Sequence, residues 1–255
     1  MIVCKSPTEI ERMRAANALV ADVLAELATM VAPGVTTLDL DLAAEKLVRA
    51  GGAEPAFKGY RGYPCTLCAS VNEQVVHGIP SARALVEGDI ISLDMGVKLN
   101  GFYGDSAVTV PVGAVSDEAA TLLRVTRESL EKGIEQVRLG GRISDIGHAI
   151  QQHVEAHGLS VVREFVGHGI GSALHEEPQI ANYGEPGRGP RLAEGMTLAI
   201  EPMVNVGRPA VKVLQDGWTA VTKDGSLSAH FEHTVAVTKN GPLVLTRRSV
   251  SAPAV

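Results

Sequence analysis

The chain has 255 residues, of which 45% are hydrophobic and 20% are charged, so it can form one large domain with a sizeable core. Its formal net charge is −6, which disfavours a nucleic-acid-binding protein, because such proteins usually carry a basic face. The best candidate for a membrane span, residues 18–35, contains two acidic residues, and the N-terminus lacks the regions of a secretory signal. Three cysteines are too few for a disulfide scaffold. We therefore expect a soluble, cytoplasmic protein.

Two pairs of helices are predicted, one pair in each half of the chain. Ser6-Pro7-Thr8-Glu9 is a capping box with proline at the first helical position, and apolar residues then recur every three or four positions. Each later helix is bounded by a hydroxyl-bearing cap residue and a terminal glycine pair or single glycine. The predicted helices extend from Ser6 to Pro33-Gly34, from Thr36 or Thr37 to Gly51, from about Ser116 to Val137, and from Ser144 to Gly158.

The second half of the chain repeats the pattern of the first at a fixed distance. The matching positions are Gly34 with Gly141, Thr37 with Ser144, Gly51 with Gly158, and residues 87–94 with residues 194–201. Each pair is separated by 107 positions, and a constant offset over helices and a strand favours an internal duplication. The same offset superposes one acid, Asp94, on another, Glu201.

The order of the elements predicts the fold class. Each half has helices followed by strands instead of alternating strand and helix units, which favours antiparallel sheet in an α+β fold. We predict a single catalytic domain over residues 1–255, with duplicated halves at about 1–112 and 113–248 that are related by a pseudo-twofold axis. Residues 249–255 are predicted to be a flexible tail.

Asn100-Gly101 is a strong signal for a hairpin turn. If these two residues form the loop, Asp94 faces Ala107 across the hairpin, and Asp105 lies two residues along on the same strand. Because side chains alternate along a strand with a period of two, both aspartates then point to one face of the sheet as diagonal neighbours.

Two carboxylates on one half-buried face repel each other unless they are protonated or bridged by a cation. The alternative is that one or both lie on a solvated face, where no cation is needed. The duplication favours a cation, because it adds Glu201 on the symmetric strand, and Glu232 lies in a later strand of the second half. We therefore expect four acids to meet across the pseudo-twofold axis and to hold a pair of divalent ions.

Three histidines are tied to the same motif. His168 lies within Gly167-His168-Gly169-Ile170-Gly171, where the glycines allow the backbone to come close to a ligand. His175 follows seven residues later, and His77 belongs to a His-Gly-Ile triplet that repeats the one at His168. Singly, each histidine would more often be structural, but together they favour catalysis.

Two other motifs are excluded as metal sites at this stage. His153 and His157 are spaced i, i+4, but the zinc-protease motif requires its glutamate directly after the first histidine, and here it comes one residue late. We therefore expect these histidines on a helix surface. Cys65 and Cys68 form a lone CxxC pair, which supplies too few ligands for a structural zinc site.

Taken together, these motifs resemble a known family. The segments that carry the likeness are the glycine-rich loop with His175-Glu176-Glu177-Pro178, Ile200-Glu201-Pro202, the Asp94/Asp105 hairpin and Glu232-His233-Thr234. They resemble the type I methionine aminopeptidases in their short bacterial form, and the likeness extends from about Lys5 to Pro242. The resemblance implies the pita-bread α+β fold. It also implies a metal-dependent hydrolase that removes the N-terminal initiator methionine from nascent proteins whose second residue is small.

The resemblance also implies the role of each site residue. Its metal ligands would be Asp94, Asp105, His168, Glu201 and Glu232, with Asp105 and Glu232 bridging two ions. Glu201 would shuttle protons, His175 would stabilise the oxyanion, and His77 would contact the substrate near the scissile amide. The methionine pocket would be lined by Tyr60, Tyr63, Cys68 and Trp218. At two further positions of the pocket wall, Phe57 and Leu174 depart from the residues that are common in the family.

The resemblance implies cofactors and partners as well. A set of one imidazole and four carboxylates suits Co²⁺, Mn²⁺ or Fe²⁺, with Zn²⁺ as the alternative. The expected partners are the N-termini of nascent polypeptides, and neither a membrane nor a specific nucleic acid is expected. We expect a monomer, and the sequence leaves open whether the enzyme docks on the ribosome.

His230 occupies a position where many type I sequences have glutamine. On a strand it lies two residues before Glu232 and therefore shares its face. We predict that it hydrogen-bonds to a metal ligand or a water, and that its protonation near pH 6.5 weakens metal binding. The alternative is that His230 merely lines a solvated part of the cleft.

Two rival functions have to be weighed. A proline dipeptidase or an aminopeptidase P would have the same fold, but these enzymes usually carry a large extra N-terminal domain, whereas this chain starts directly on the first helix. An interaction protein that has lost catalysis would typically have lost metal ligands, whereas all five are present here.

Overall fold

The computed structural model describes residues 1–248, so the tail predicted at 249–255 lies outside the described residues. The helices are α1 (Pro7–Met30), α2 (Thr37–Ala50), α3 (Asp117–Ile134) and α4 (Ile143–Ala156), with a short 3₁₀ turn at Tyr60–Gly62. None of the helices among residues 1–248 has an apolar stretch that is long enough to cross a membrane.

Fifteen short or medium strands are described between and after these helices. They are β1 (Glu54–Pro55), β2 (Cys68–Val71), β3 (Gln74–Val76), β4 (Ile90–Leu99), β5 (Phe102–Pro111), β6 (Ser160–Val161), β7 (Gly167–Gly169), β8 (Glu176–Ile180), β9 (Thr197–Ile200), β10 (Met203–Asn205), β11 (Val211–Val213), β12 (Ala220–Thr222), β13 (Ser228–His230), β14 (His233–Thr238) and β15 (Gly241–Val244). All pairings between these strands are antiparallel, as predicted.

Two sheets carry the residues of interest. In the first half, β1, β4 and β2 are neighbours and β5 pairs with β4; in the second half the order is β15-β14-β9-β7-β8. The helices α1 and α2 bury their apolar faces against the first sheet, and α3 and α4 pack against the second. Val108 on β5 contacts both of these cores, so the two halves share one continuous interior.

The caps of three helices agree with the sequence. Ser6 accepts a hydrogen bond from the backbone N–H of Glu9, and the Glu9 carboxylate accepts one from Ser6 in return. Thr36 and Asp39 cap α2 in the same reciprocal way, and the Ser116 hydroxyl caps α3 by accepting a hydrogen bond from the backbone N–H of Ala119. The third helix ends at Ile134, three residues earlier than predicted, because the chain tightens there into i, i+3 hydrogen bonds.

The fourth helix begins differently from the prediction. Its cap position is Arg142, whose backbone N–H donates to the carboxylate of Asp145 at 2.7 Å. Ser144 already lies inside the helix, and its hydroxyl accepts a hydrogen bond from the backbone of Arg188. The prediction that Ser144 caps this helix is therefore wrong.

The predicted offset of 107 positions between the two halves is wrong by one residue for the helices. Helices α2 and α4 are separated by 106 positions at both ends, whereas the turn glycines before the matching strands, Gly88 and Gly195, have φ values of 92° and 87° and lie 107 apart. The second half therefore has one extra residue between its helix and its strand. Gly158 matches Gly52, which shares its φ of 74°, and does not match Gly51.

The hairpin of β4 and β5 has the predicted register. Asn100 and Gly101 form its two-residue loop with φ values of 52° and 84°, Leu99 pairs with Phe102, and Asp94 pairs with Ala107. Both loop residues have the positive φ that a type I′ turn requires. The two aspartates of the hairpin therefore lie on one face of the sheet, as predicted.

Candidate metal centre

The two halves of the molecule meet at β5. The backbone N–H of Glu232 donates to the carbonyl of Ala107 at 2.9 Å, and the hydroxyl of Ser106 donates to the carbonyl of Glu232 at 2.6 Å. Ala107 is also the partner of Asp94 across the hairpin. The backbone thus places the acids of the hairpin and Glu232 of the second half side by side.

His168 and Glu201 reach the same point from the second sheet. His168 on β7 pairs with Ala199 on β9, and Glu201 follows the last residue of β9. The glycines around His168 permit this approach, since a Cβ on Gly167 would collide with the carbonyl of Ala199 and a Cβ on Gly169 with that of Glu177. The glycines are therefore required by close strand packing, and His168 lies on a strand and not in the loop that the sequence predicted.

The five predicted metal ligands converge. The imidazole Nε2 of His168 lies 3.6 Å from Oε1 of Glu201 and 3.9 Å from Oδ2 of Asp105. Asp105, His168 and Glu232 each offer a ligand atom within 4.8 Å of the others, and Asp94 faces the same cavity. Nδ1 of His168 lies 2.8 Å from the carbonyl of Gly169. Because a carbonyl only accepts, Nδ1 carries the proton and Nε2 presents a lone pair to the acids.

The carboxyl groups are strongly perturbed by their surroundings. Burial raises the pKa of Asp105 to about 7. Burial and the neighbouring acids raise the pKa of Asp94, Glu201 and Glu232 well above the usual range. One oxygen each of Asp94, Asp105 and Glu232 is buried without a hydrogen-bond partner among the described residues.

The chemistry of these residues is that of a cation site. Buried carboxylate oxygens without donors are costly unless a cation or a proton compensates them. The donor set consists of hard oxygens and one imidazole, and first-row divalent ions bind such ligands. The residues therefore fit divalent metal ions.

Aromatic and histidine side chains form the wall of the same cavity. The wall comprises Phe57, Tyr60, Arg61, Tyr63, Cys68, His77, Leu174, His175 and Trp218, which includes every pocket residue predicted from the sequence. The Trp218 ring lies edge-on to Tyr63 and to His77, with centroids 5.1 and 6.2 Å apart. Burial lowers the pKa of His77 to about 4, so His77 is neutral at neutral pH.

His175 lies between the wall and the acids. Its ring stacks on Tyr60 and lies 4.2 Å from the ring of His168. Its Nδ1 is 3.0 Å from the Tyr60 hydroxyl. Burial lowers the pKa of His175, and the positive charge of Arg61 lowers it further. A neutral imidazole that accepts from Tyr60 at Nδ1 keeps a free N–H at Nε2.

Comparison with known proteins agrees with this geometry. Residues 11–239 match the family described as metallopeptidase family M24. The chain belongs to this family. Methionine aminopeptidase 1 of Bacillus subtilis is 55% identical over 247 residues, which cover 97% of this chain and 100% of that relative. The methionine aminopeptidase of Clostridium acetobutylicum is 54% identical over 96% of this chain and 99% of its own length.

Solved structures of M24 enzymes give the same result. The crystal structure of methionine aminopeptidase from Thermotoga maritima has a TM-score of 0.96 and 50% identity, covering 97% of this chain and 100% of that chain. The prolidase of Pyrococcus furiosus has a TM-score of 0.78 at 22% identity, and the match covers 66% of the prolidase chain. This likeness shows the fold alone. The predicted resemblance, the pita-bread α+β fold and the predicted enzyme class are confirmed. Membership of a metallopeptidase family also implies divalent metal ions.

His230 of this M24 metallopeptidase is placed behind the acids. The side chain is only 2% exposed, and its Nε2 lies 3.8 Å from Oε2 of Glu201. Neither ring nitrogen has a hydrogen-bond partner within residues 1–248. Burial, and to a smaller extent electrostatic repulsion from His77, lowers the pKa of His230 to about 3. The predicted protonation near pH 6.5 is therefore wrong, because the sequence did not reveal how completely the ring is buried.

Sequence reasoning missed two residues around the M24 cavity. Arg61 lines the cavity and has a φ of 51°. Its guanidinium carbon Cζ lies 5.3 Å from the centroid of the Tyr60 ring. Phe165 packs edge-on against His77 at 5.4 Å. The glycines at 59 and 62 were the available signal for Arg61, since they indicate a tight turn next to Tyr60.

Proposed function

We propose that this protein hydrolyses the N-terminal methionine from polypeptides, using two divalent ions held by Asp94, Asp105, His168, Glu201 and Glu232. The observation that supports this most is the set of buried carboxylates at one end of a cavity whose wall is largely aromatic, three of which have an oxygen without a hydrogen-bond partner among residues 1–248. Relatives named methionine aminopeptidase share more than half of their residues with the chain over nearly its whole length.

Each side chain would have a distinct role in holding the ions. Asp105 and Glu232 would hold the ions side by side, because Asp105 lies on β5 and the backbone N–H of Glu232 donates to the carbonyl of Ala107 on the same strand. Asp94, His168 and Glu201 would be the remaining ligands, since all three line the same cavity. The chemistry that the ions supply when bound is activation of water at neutral pH and polarisation of the scissile carbonyl.

The protein groups would manage the protons and the developing charge. Glu201 would accept the proton of the attacking water and return it to the leaving amine. His175 would donate its Nε2–H to the oxyanion, and its lowered pKa favours the neutral tautomer that Tyr60 orients. His77, also neutral, would contact the scissile amide.

The wall of the cavity would select the first residue of the substrate. Tyr63, Cys68 and Trp218 offer an apolar, polarisable surface that suits an unbranched thioether. Phe57 and Leu174 would shape the remaining wall in a way that differs from many relatives. With the acids closing the far side of the cavity, we propose that the second residue of the substrate has to be small.

We further propose Co²⁺, Mn²⁺ or Fe²⁺ as the working ions, with Zn²⁺ as the alternative. The substrates would be nascent polypeptides in the cytoplasm, and the protein would act as a monomer. Ribosome docking would depend on surfaces outside the cavity. The proposed domain is a single catalytic unit that arose by internal duplication.

The test compares two peptides on the metal-loaded protein. We expect rapid release of methionine from Met-Ala-Ser and no cleavage of a Xaa-Pro peptide, with the Asp105→Asn variant as the inactive control. Preferential cleavage of the Xaa-Pro peptide would instead indicate a proline-specific peptidase. Cleavage of neither peptide by protein that has bound its ions would indicate a chain that has lost catalysis.

A further inference from the structure

A second cluster of potential metal ligands lies on the helical surface. It consists of Glu128 on α3 and of His153 and His157 at the end of α4, and it will be called the α3–α4 cluster. Each of the three side chains offers a ligand atom within 4.8 Å of the others. It is formed from different elements from those of the catalytic cavity and shares no residue with that cavity.

The spacing of the ligand atoms suits a single ion. Nε2 of His153 lies 3.1 Å from Oε2 of Glu128. Ligand atoms about 2.0–2.2 Å from a tetrahedral zinc ion are about 3.4 Å apart, so this pair needs to open only slightly. The third atom has to approach by at most about 1.4 Å from the 4.8 Å limit, which a side-chain rotation provides.

His157 keeps one ring nitrogen available as that third ligand. Its Nδ1 lies 2.8 Å from the carbonyl of His153, so Nδ1 carries the proton and Nε2 has the free lone pair. The two imidazole rings are 4.7 Å apart. Both histidines are at the C-terminal end of α4, where the helix dipole favours a cation.

From these contacts we infer that the α3–α4 cluster is a binding site for an imidazole-preferring divalent ion such as Zn²⁺. Two imidazoles and one carboxylate are a zinc-type donor set, in contrast to the carboxylate-rich set of the catalytic cavity. The ion links α3 to α4, with solvent water available to complete its coordination because His157 is exposed.

Arg124 competes for the same carboxylate. Its guanidinium Nη1 lies 2.9 and 3.1 Å from the two oxygens of Glu128. A positive charge next to a cation site weakens binding by repulsion. Removal of this charge should therefore tighten Zn²⁺ binding, whereas removal of a ligand should weaken it.

The test is equilibrium dialysis of the full chain against increasing free Zn²⁺, with bound ions counted per chain. We expect the parent to bind one ion more than His157→Ala. In Glu128→Gln the affinity of that ion should fall by at least about tenfold, and in Arg124→Gln it should rise. His148→Gln is the matched control, because His148 is also on α4 but bonds to the carbonyl of Gly184 outside the cluster.

Circular dichroism of each variant verifies that the helices are intact. Identical Zn²⁺ curves for the parent and His157→Ala would overturn the inference. So would a loss of the same ion in His148→Gln. Because the measurement counts ions and does not depend on peptide cleavage, its result is independent of the proposed peptidase activity.

Discussion

Residues 1–248 contain two clusters of acids and histidines that differ mainly in their exposure to water. The cluster of Asp105, His168 and Glu232 is buried, whereas the α3–α4 cluster lies at the surface. Burial raises the pKa of Asp105 to about 7. At Glu128 burial also acts to raise the pKa, but hydrogen bonds from Arg124 and His153 outweigh it, so that the pKa is lowered.

The difference lies in how the negative charge is compensated. The surface acid already has a guanidinium partner and is 39% exposed, so an ion there is optional. The buried acids have oxygens without any partner among residues 1–248, so either protons or metal ions have to neutralise them. On the two proposals, the same residue types would therefore give an essential centre in one place and an accessory site in the other.

The largest expected effect is the loss of peptidase activity when a bridging acid is neutralised. Asp105→Asn or Glu232→Gln should lower kcat/KM for Met-Ala-Ser by about 10³-fold or more, the range for removal of an essential catalytic group. Glu128→Gln, the equivalent change in the surface cluster, should leave the activity unchanged. Full activity of Asp105→Asn with both ions still bound would remove the basis for the proposed centre.

Neutralising Asp105 should lower the activity but raise the stability of the metal-free protein. The folded-state pKa of about 7 exceeds the reference value of 3.8, so the protonated folded form is favoured, and stability is lost as the pH rises from about 4 through 7. Metal-free Asp105→Asn should therefore gain stability over the parent across this range, by at most about 4 kcal/mol.

The comparison has to be made between variant and parent, because the buried histidines respond in the other direction. The pKa of His168 is lowered to about 4 by burial, so its contribution is lost as the pH falls below about 6.5. Denaturant unfolding of both proteins at several pH values measures the difference. A difference that stays the same from pH 4 to 8 would show that Asp105 is not perturbed by burial.

A smaller effect is expected on substrate choice. If the acids close the far side of the cavity, kcat/KM for Met-Ala substrates should exceed that for Met-Arg substrates by at least about tenfold, which is within the range that pocket size provides. Steady-state kinetics on the two peptides measures the ratio. Comparable values would mean that the buried cluster does not restrict the second residue.

The smallest effect is expected for His230. Since the pKa of His230 is about 3, the ring stays neutral from pH 5.5 to 8. The metal affinities of His230→Gln and the parent should then run parallel over this range, with an offset of up to about tenfold, because Nε2 of His230 lies only 3.8 Å from Oε2 of Glu201. Superimposed curves would show that His230 has no role in metal binding, and diverging curves would show that it titrates.

Local features of the fold could be predicted because they depend on residues close in sequence. The turn at Asn100-Gly101 determines the register that brings Asp94 and Asp105 to one face, and the structure agrees with it. The caps at Ser6 and Thr36 are equally local. The failure at Ser144 arose because the competing cap position, Arg142, whose backbone N–H donates to the carboxylate of Asp145, also lies nearby, and sequence spacing does not decide between the two.

Features that depend on distant segments could not be predicted. His153 and His157 were placed on a helix surface, but only the packing of α3 on α4 reveals Glu128 beside them. The burial of His230 likewise depends on neighbours from several strands. The four acids could be proposed from the hairpin and the duplication, but their individual roles and the residues of the pocket came from the resemblance to a family, because side chains from separate strands have no local signature.

Anomalous diffraction from crystals of the Mn²⁺-loaded protein is the most direct test of the buried centre. We expect two peaks in the cavity, both within bonding distance of Asp105 and Glu232, with His168 bound to only one of them. A single peak, or two peaks that do not share Asp105 and Glu232, would contradict the proposed dinuclear centre.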